Sequence, residues 1–388
     1  MVSGDKGVVG KASVGTAGTN STIRLGWPDI SFDEVSDELR VSINGGWLTN
    51  GRKTIELEEC CVRVTGTRHA VVTSSGTTAL HLALLALGIG PGDEVIVPSF
   101  TFPATANVVL HCGATPVLAD VDAATYNLDP QSAADHITPK TKAILPVHQF
   151  GLPADITAIQ NLAKQHGLAV VEDAACAIGA TYQERPCGSL GDIGCFSFHP
   201  RKIITTGEGG AMTTNREKLA AFCRLWRNHG ITTKAGERVF EAPAFNYRLD
   251  EASAILGLAQ IRRLADITAK RRELAHSLTS GLKDIPWLQT PSEPPDRSHV
   301  FQSYVVVIDR RVSRHRVVAA LEETGIEASS GGPAIHIQPY FKRMFPEREH
   351  ALPISTMLHE QTLALPLHNR LTSTEISRII EAMRSLRV

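Results

Sequence analysis

From about residue 68 to residue 215 the chain repeats one arrangement of apolar and polar positions. A short β-branched run is followed by a Gly/Pro turn and then by a stretch with helical spacing. Ala70–Thr73 reads as a strand, and Thr77–Leu87 as a helix stopped by Gly88. Glu94–Val97 is a strand and Ala104–His111 a helix. Pro116–Ala119 and Ala143–Pro146 are further strands. Ile156–His166 is helical, and Leu168–Glu172 is a strand ending in acid. Alternating strands and helices with short connections predict a mainly parallel sheet covered on both faces. Lys218–Arg227 and the stretch from Glu251 to about Leu282 read as mostly helical. A second unit begins near Val300, with a strand at Ser303–Ile308, a helix at Arg314–Thr324 and a closing helix at Leu371–Arg387, capped by Thr372 or Ser373. Thr290–Ser298 is a loop by composition.

Composition narrows the class. The 388 residues are 43% apolar and 20% charged, enough for a sizeable core and too ordinary for a disordered or collagen-like chain. Length favours one large domain with a smaller companion. The division predicted is a flexible tail at 1–21, a large domain at 22–265 and a small C-terminal domain at 266–388. Thirty-nine basic against 40 acidic residues leave a net charge of −1, no footprint for nucleic acid or an anionic membrane. The seven cysteines are odd in number and scattered without a C-x-x-C pair, which points to a reducing cytoplasm and away from a disulfide scaffold or a zinc knuckle. The first 21 residues lack an apolar signal-peptide core, and no apolar run reaches the ~18 residues that span a bilayer.

In a parallel sheet, ligands sit at the carboxyl ends of the strands, so the residues just after each strand carry the chemistry. Ser74-Ser75-Gly76-Thr77-Thr78 lies between a strand and a helix. Gly76 permits close backbone approach, and the helix start with Thr77 and Thr78 offers donors for a phosphate. The same residues also suit an ordinary Ser/Thr N-cap. Gly88-x-Gly90-x-Gly92 follows a helix and is therefore not a nucleotide fingerprint. Asp173 ends a strand and is followed by small residues, which leave room for a planar ligand; it could equally cap the next helix. Lys202 follows the aromatic-rich run Phe196-Ser197-Phe198-His199-Pro200-Arg201 and precedes Gly207-Glu208-Gly209-Gly210. In such confined surroundings a lysine amine is available as a nucleophile. A phosphate cradle, a strand-end acid and a lysine match the three handles of pyridoxal phosphate: phosphate, ring nitrogen and aldehyde.

Over about residues 28 to 385 the chain resembles the DegT/DnrJ/EryC1/StrS sugar aminotransferases, of the aspartate-aminotransferase-like fold. The resemblance adds Pro98–Phe102, Asp120–Asp122, Val147–Gly151, Asn228–Gly230, Phe245–Arg248, Gly257–Gln260 and Ile335–Pro339 to the motifs above. It implies an α/β protein of PLP-dependent transferase fold type I, with a large PLP-binding domain and a smaller C-terminal α+β domain. Lys202 matches the lysine that joins the cofactor and shuttles a proton. Asp173 matches the acid on the pyridine nitrogen, and Phe102 the aromatic that stacks on the ring. Gly76, Thr77, Thr78 and Ser197 match the phosphate site. Asn246 and Arg248 lie in a segment that relatives extend into a neighbouring subunit's site, which implies a homodimer with shared active sites.

One position departs from the family pattern. Cys176 stands three residues after the acid, where relatives carry Gln or His against the cofactor's ring hydroxyl. A thiol is a weak donor, so the tuning of the ring changes, or Cys176 is a small buried hydrophobe. His148, His229 and His336 lie in matching motifs as substrate contacts or as structural histidines, and the Trp47–Gly51 turn matches a segment near the substrate mouth. No metal is expected. The resemblance implies amino transfer from glutamate or glutamine to the keto group of a nucleotide-linked keto-deoxysugar, with the cofactor cycling between PLP and PMP. The alternatives are a cyclitol or other cyclic ketone in antibiotic biosynthesis, a sugar dehydratase, or a non-enzymatic regulatory homologue. The dehydratase sister group carries His at the lysine position, so Lys202 argues against it.

Overall fold

The computed structural model describes residues 22–346 and 352–387; the tail expected at 1–21 lies outside the described residues. A sheet of seven strands organises the first two thirds of the chain. Its order is His69–Thr73, Gly210–Thr214, Ile193–Ser197, Ala169–Asp173, Thr141–Ile144, Glu94–Pro98 and Thr115–Ala119. All neighbours are parallel except Gly210–Thr214, which runs antiparallel to both strands beside it. The molecule is thus α/β with a mostly parallel central sheet.

The alternation along each strand explains why both faces are buried. Val71, Val95, Val97, Val171, Cys195 and Met212 point to one core, packed under helices Gly76–Ala86, Ala104–His111 and Glu217–Trp226. Ala70, Val72, Ile96, Ile144, Val170 and Phe196 point to the other, covered by Arg52–Thr65, Ile156–His166 and Glu251–Ile261. Strands buried on both faces read as continuous apolar runs, and that is how they appear in the sequence.

Boundaries agree closely where a cap or a glycine marks them. Ile156–His166 starts at the Asp155 N-cap and stops at Gly167, whose φ of +67° suits glycine. The closing helix, Ser373–Ser385, is capped by Thr372 in a box with Glu375. The strand expected at Ala143–Pro146 is found two residues earlier, at Thr141–Ile144. The helical stretch from Glu251 is two helices, Glu251–Ile261 and Leu264–Leu282, separated where Arg263 leaves helical geometry at φ −105°, ψ 13°. The second helix spans two cores: Leu264 and Ile267 continue the large-sheet core of Leu258 and Ile261, whereas Leu274, Leu278 and Leu282 pack on a second sheet. Beyond the elements expected from the apolar pattern, the chain forms helices Ser36–Asn44 and Arg52–Thr65 and a hairpin of Ile231–Lys234 with Glu237–Phe240.

The second sheet has four antiparallel strands in the order Leu288–Gln289, Tyr304–Ile308, Thr362–Leu365 and Ser329–Ser330. Its core also recruits the beginning of the described chain. Ile23 is 1% exposed and packs among these side chains, and it bonds to Gly325 and Glu327 through its own N–H and carbonyl. Ile23 therefore packs with the C-terminal sheet.

Candidate active site

Three loops meet at one edge of the sheet, following the strands His69–Thr73, Ala169–Asp173 and Ile193–Ser197, the first separated from the last by Gly210–Thr214. The helix start at Gly76 sits directly over the end of Ile193–Ser197. A Cβ on Gly76 would come within 2.7 Å of Ser197 Cβ, and one on Gly210 within 2.5 Å of the Ser75 carbonyl carbon. Only glycine permits this approach at either position. Ser75 is the N-cap, and its hydroxyl accepts the Thr78 N–H at 3.1 Å. Thr78 Oγ1 accepts the Ser75 N–H at 3.0 Å and donates to the Ser75 carbonyl at 2.8 Å. The capping role considered for these residues is therefore real, and it occupies the Thr78 hydroxyl. Thr77 is exposed, and the Gly76 and Thr77 N–H groups at the helix start have no acceptor among the described residues. Ser197 is half-buried beside them.

Asp173 is 5% exposed at the end of its strand. Its Oδ2 accepts the Thr105 hydroxyl at 2.8 Å and its Oδ1 the Ala175 N–H at 3.2 Å. Burial raises its pKa, against the lowering effects of the Thr105 hydrogen bond, Lys202, the Ala175 N–H and His148. Among the described residues the carboxylate makes no ion pair within contact distance. Thr105 was missed from the sequence; Thr101 Oγ1 lies 3.0 Å from Thr105 Oγ1 and continues the chain of hydroxyls.

Lys202 closes a turn, its N–H donating to the His199 carbonyl at 2.8 Å. The loop around it is pinned from two sides. Phe198 N–H bonds to the Gly209 carbonyl at 2.8 Å, and Gln260 clasps Thr205 through its N–H at 3.0 Å and its carbonyl at 2.7 Å. The Lys202 Nζ is 3.1 Å from Cys176 Sγ. Cys176 is half-buried and faces the amine, so it is not an inert core hydrophobe. Phe102 keeps its ring 70% exposed, with a face free to stack on a ligand. Arg248 Nη1 donates to Asn228 Oδ1 at 3.0 Å, Asn246 bridges to Asn228, and the intervening Tyr247 carbonyl accepts the Ser74 N–H at 2.9 Å. The Asn246–Arg248 segment thus lies against the glycine loop of its own chain.

The three candidate histidines separate. His148 is fully buried: its Nε2 lies 2.9 Å from Glu172 Oε2, and its Nδ1 accepts the Ala154 N–H at 3.0 Å. Both nitrogens are committed to the scaffold, and the substrate contact expected of His148 is corrected to a structural one. His336 is 3% exposed, with Nδ1 2.6 Å from Ser99 Oγ and Nε2 3.0 Å from Thr356 Oγ1; it too is engaged in packing, not directed at a substrate. His229 is exposed on a left-handed backbone at φ +55°. Ligand atoms of His148, Glu172 and Cys187 lie within 4.8 Å of one another. Glu172 already accepts three backbone N–H groups, so that trio is a hydrogen-bond centre.

The remaining donors fit PLP. A buried acid without a cationic partner suits a protonated ring nitrogen, unspent N–H groups at a helix start suit a phosphate, and Lys202 supplies an amine.

Comparison with known proteins agrees. Residues 30–384 match the model of the DegT/DnrJ/EryC1/StrS aminotransferase family. The chain is 42% identical over 341 residues to GDP-perosamine synthase of Caulobacter vibrioides, covering 87% of this chain and 91% of that one. It is 38% identical over 372 residues to the spore coat polysaccharide biosynthesis protein SpsC of Bacillus subtilis (strain 168), covering 92% and 95%. Spr1654 of Streptococcus pneumoniae, solved in its PMP form, superposes with a TM-score of 0.89 at 29% identity over 94% of this chain and 98% of that one. The chain belongs to the DegT/DnrJ/EryC1/StrS family and is a PLP-dependent aminotransferase.

Proposed function

We propose that the protein aminates the keto group of a nucleotide-linked keto-deoxysugar, taking nitrogen from an amino acid. The observation that carries this reading is the convergence of Lys202, Asp173 and the Gly76 loop at the carboxyl ends of parallel strands in one sheet, in a chain 42% identical to a GDP-perosamine synthase. PLP, when bound, supplies an electron sink and carries the amino group between two substrates. Lys202 Nζ would anchor the cofactor at its aldehyde end and would be the group that carries a proton within the site. Asp173 keeps its charge against the ring nitrogen, so that the nitrogen stays protonated. Thr105 orients that carboxylate. Cys176 Sγ positions the lysine amine, a different task from the ring-hydroxyl contact of relatives. Gly76, Thr77 and Ser197 would hold the phosphate through the helix-start N–H groups and their hydroxyls, while Thr78, committed to the Ser75 cap, fixes the loop instead of donating to the phosphate. Phe102 covers the ring, and His229 reaches the substrate.

The working unit is a homodimer in which Asn246 and Arg248 meet the partner's site. Exposed Trp47, Leu48, Phe102 and Phe240 supply the apolar surface that such an interface covers. The domains divide near 265, beside the helix break. No helix among the described residues is long and apolar enough to cross a membrane, and seven free cysteines suit the cytoplasm.

The test is a half-reaction screen. Enzyme converted to the PMP form is offered keto compounds, and return of the visible PLP absorbance is recorded. Return with nucleotide-linked keto-sugars supports the reading. Return only with free cyclic ketones overturns it in favour of a cyclitol substrate.

A further inference from the structure

Lys202 and Cys176 meet between two loops that follow neighbouring parallel strands, Ile193–Ser197 and Ala169–Asp173. Lys202 Nζ lies 3.1 Å from Cys176 Sγ, and neither atom has another hydrogen-bond partner among the described residues. The contact is held from both sides. The Ala174 N–H donates to the Cys195 carbonyl at 2.8 Å and the Ala177 N–H to the Ala174 carbonyl at 2.9 Å, which fixes the loop that carries Cys176. Gly151 abuts the same loop, where a Cβ would come within 3.0 Å of the Cys176 carbonyl oxygen. On the other side, Gln302 Nε2 donates to the Arg201 carbonyl at 2.8 Å, next to Lys202.

This pair differs from every other thiol in the chain. All seven cysteines are free, and six of them are buried. Burial pushes the thiols of Cys112 and Cys223 up to about 12 and raises those of Cys60, Cys61, Cys187 and Cys195 as well. Thiols raised in this way carry little thiolate and are inert. Cys176 alone is half-buried, so a small oxidant reaches it from solvent, and a basic side chain touches its sulfur. Partly exposed surroundings beside a lysine are where cysteines react. An oxidised Cys176 has no second exposed thiol with which to form a disulfide. The nucleophile within reach is the Lys202 amine.

We propose that Cys176 and Lys202 form a reversible redox lock, in which a peroxide converts the pair into a sulfur–nitrogen cross-link that denies the lysine to PLP. The proposal rests on the reading of Lys202 as the cofactor's anchor and concerns the regulation of that same site. In the first step the Cys176 sulfur attacks one oxygen of hydrogen peroxide. The S–O bond forms as the O–O bond breaks; the sulfur is oxidised to the sulfenic acid, and the peroxide is reduced to water. In the second step the Lys202 nitrogen lone pair attacks that sulfur. The S–N bond forms as the S–O bond breaks, and the departing hydroxide takes one amine hydrogen and leaves as water. A dithiol reverses the lock. Its first sulfur displaces the amine from Cys176, and its second closes the reductant's own disulfide and returns the thiol.

The lock depends on the state of the enzyme. With PLP joined to Lys202 the nitrogen is committed, and oxidation stops at the sulfenic acid. In the PMP form and in the apoprotein the amine is free, and the second step proceeds. Oxidation therefore holds back enzyme that has not yet regained its PLP. The Gln or His that relatives carry at the position of Cys176 offers no sulfur, so the lock belongs to this chain and not to the family pattern.

The test treats the apoprotein, the PMP form and the PLP form with hydrogen peroxide, in parallel with and without dimedone, which traps sulfenic acids. Catalase then removes the peroxide, peptides are mapped by mass spectrometry, and PLP uptake by the apoprotein is followed by absorbance. The apoprotein and the PMP form are expected to yield a Cys176–Lys202 peptide pair lighter by two hydrogens than its separate parts. PLP uptake is lost with it, and dithiothreitol restores both. The PLP form is expected to yield dimedone-labelled Cys176 and no cross-link. Cys176→Ser should keep its PLP uptake after peroxide, and Lys202→Ala should give labelled Cys176 without a cross-link. Oxygen added to Cys176 of the apoprotein with Lys202 left unlinked overturns the lock, as does an equal loss of PLP uptake in Cys176→Ser. Failure of the untreated protein to take up PLP overturns the role of Lys202 as anchor instead, and the masses from the apoprotein still decide the cross-link.

Discussion

Glu172 and Asp173 are adjacent carboxylates at the end of one strand, and the strand's alternation sends them to opposite faces of the sheet. Both are buried, at 0% and 5% exposure. Glu172 accepts backbone N–H groups from Gly188, Leu190 and Gly191, each at 2.7 Å, and lies 2.9 Å from His148 Nε2. Asp173 accepts one hydroxyl and one N–H. The first carboxylate organises a loop and has nothing left to give. The second is stranded in a low-dielectric site with its charge underpaired, which is costly for folding and useful for holding a cation. Equal burial thus hides opposite tasks, and what tells them apart is the count and type of donors.

Four substitutions would break or sharpen that contrast. Lys202→Ala removes the amine that both carries the cofactor and moves the proton. The donor half-reaction should fall by about 10³-fold or more, measured in single-turnover absorbance. Asp173→Asn should cost about 10²–10⁴-fold in the same assay. Undiminished turnover in that variant would leave the stranded charge without a purpose. Glu172→Gln should do the reverse. It should lower unfolding stability by roughly 2–4 kcal/mol in denaturant melts, because three N–H groups lose an ionised acceptor, while the folded fraction keeps its half-reaction rate. Thr105→Val, which strips one hydroxyl from Asp173, should cost about tenfold in rate.

The same contrast has a pH signature. Burial holds the Asp173 pKa above its ordinary value. Between the ordinary and the raised value the folded apoprotein binds a proton that the unfolded chain does not, so stability falls as pH climbs through that window. Asp173→Asn should lack that part of the slope in apoprotein melts, and PLP should flatten it in the wild type by pairing the carboxylate. An identical slope in wild type and variant would place the titrating group elsewhere.

Much of the fold was legible because the signals were local. The Asp155 cap, the Gly167 stop and the β-branched runs fix their elements within a residue or two. The break at Arg262–Arg263 is not legible, since the apolar spacing runs on across it: Leu258, Ile261, Leu264 and Ile267 all enter one core, and only tertiary packing turns the chain there. Within the site, Lys202, Asp173 and the Gly76 loop announce themselves by following strands. Thr105 carries no such mark: it is one threonine in a helix start, and only folding brings it 68 residues back to Asp173. His148 shows the opposite failure. Its motif is shared with a family, but its neighbours Glu172 and Ala154 commit both nitrogens, and no sequence pattern reports that.

The central claim is that Lys202 is the residue that holds the cofactor. Borohydride treatment of the PLP-loaded protein, followed by peptide mass mapping, tests it directly. A phosphopyridoxyl group is expected on Lys202 and on no other lysine, and none in Lys202→Ala. A label on another lysine, or equal labelling of the variant, would contradict it.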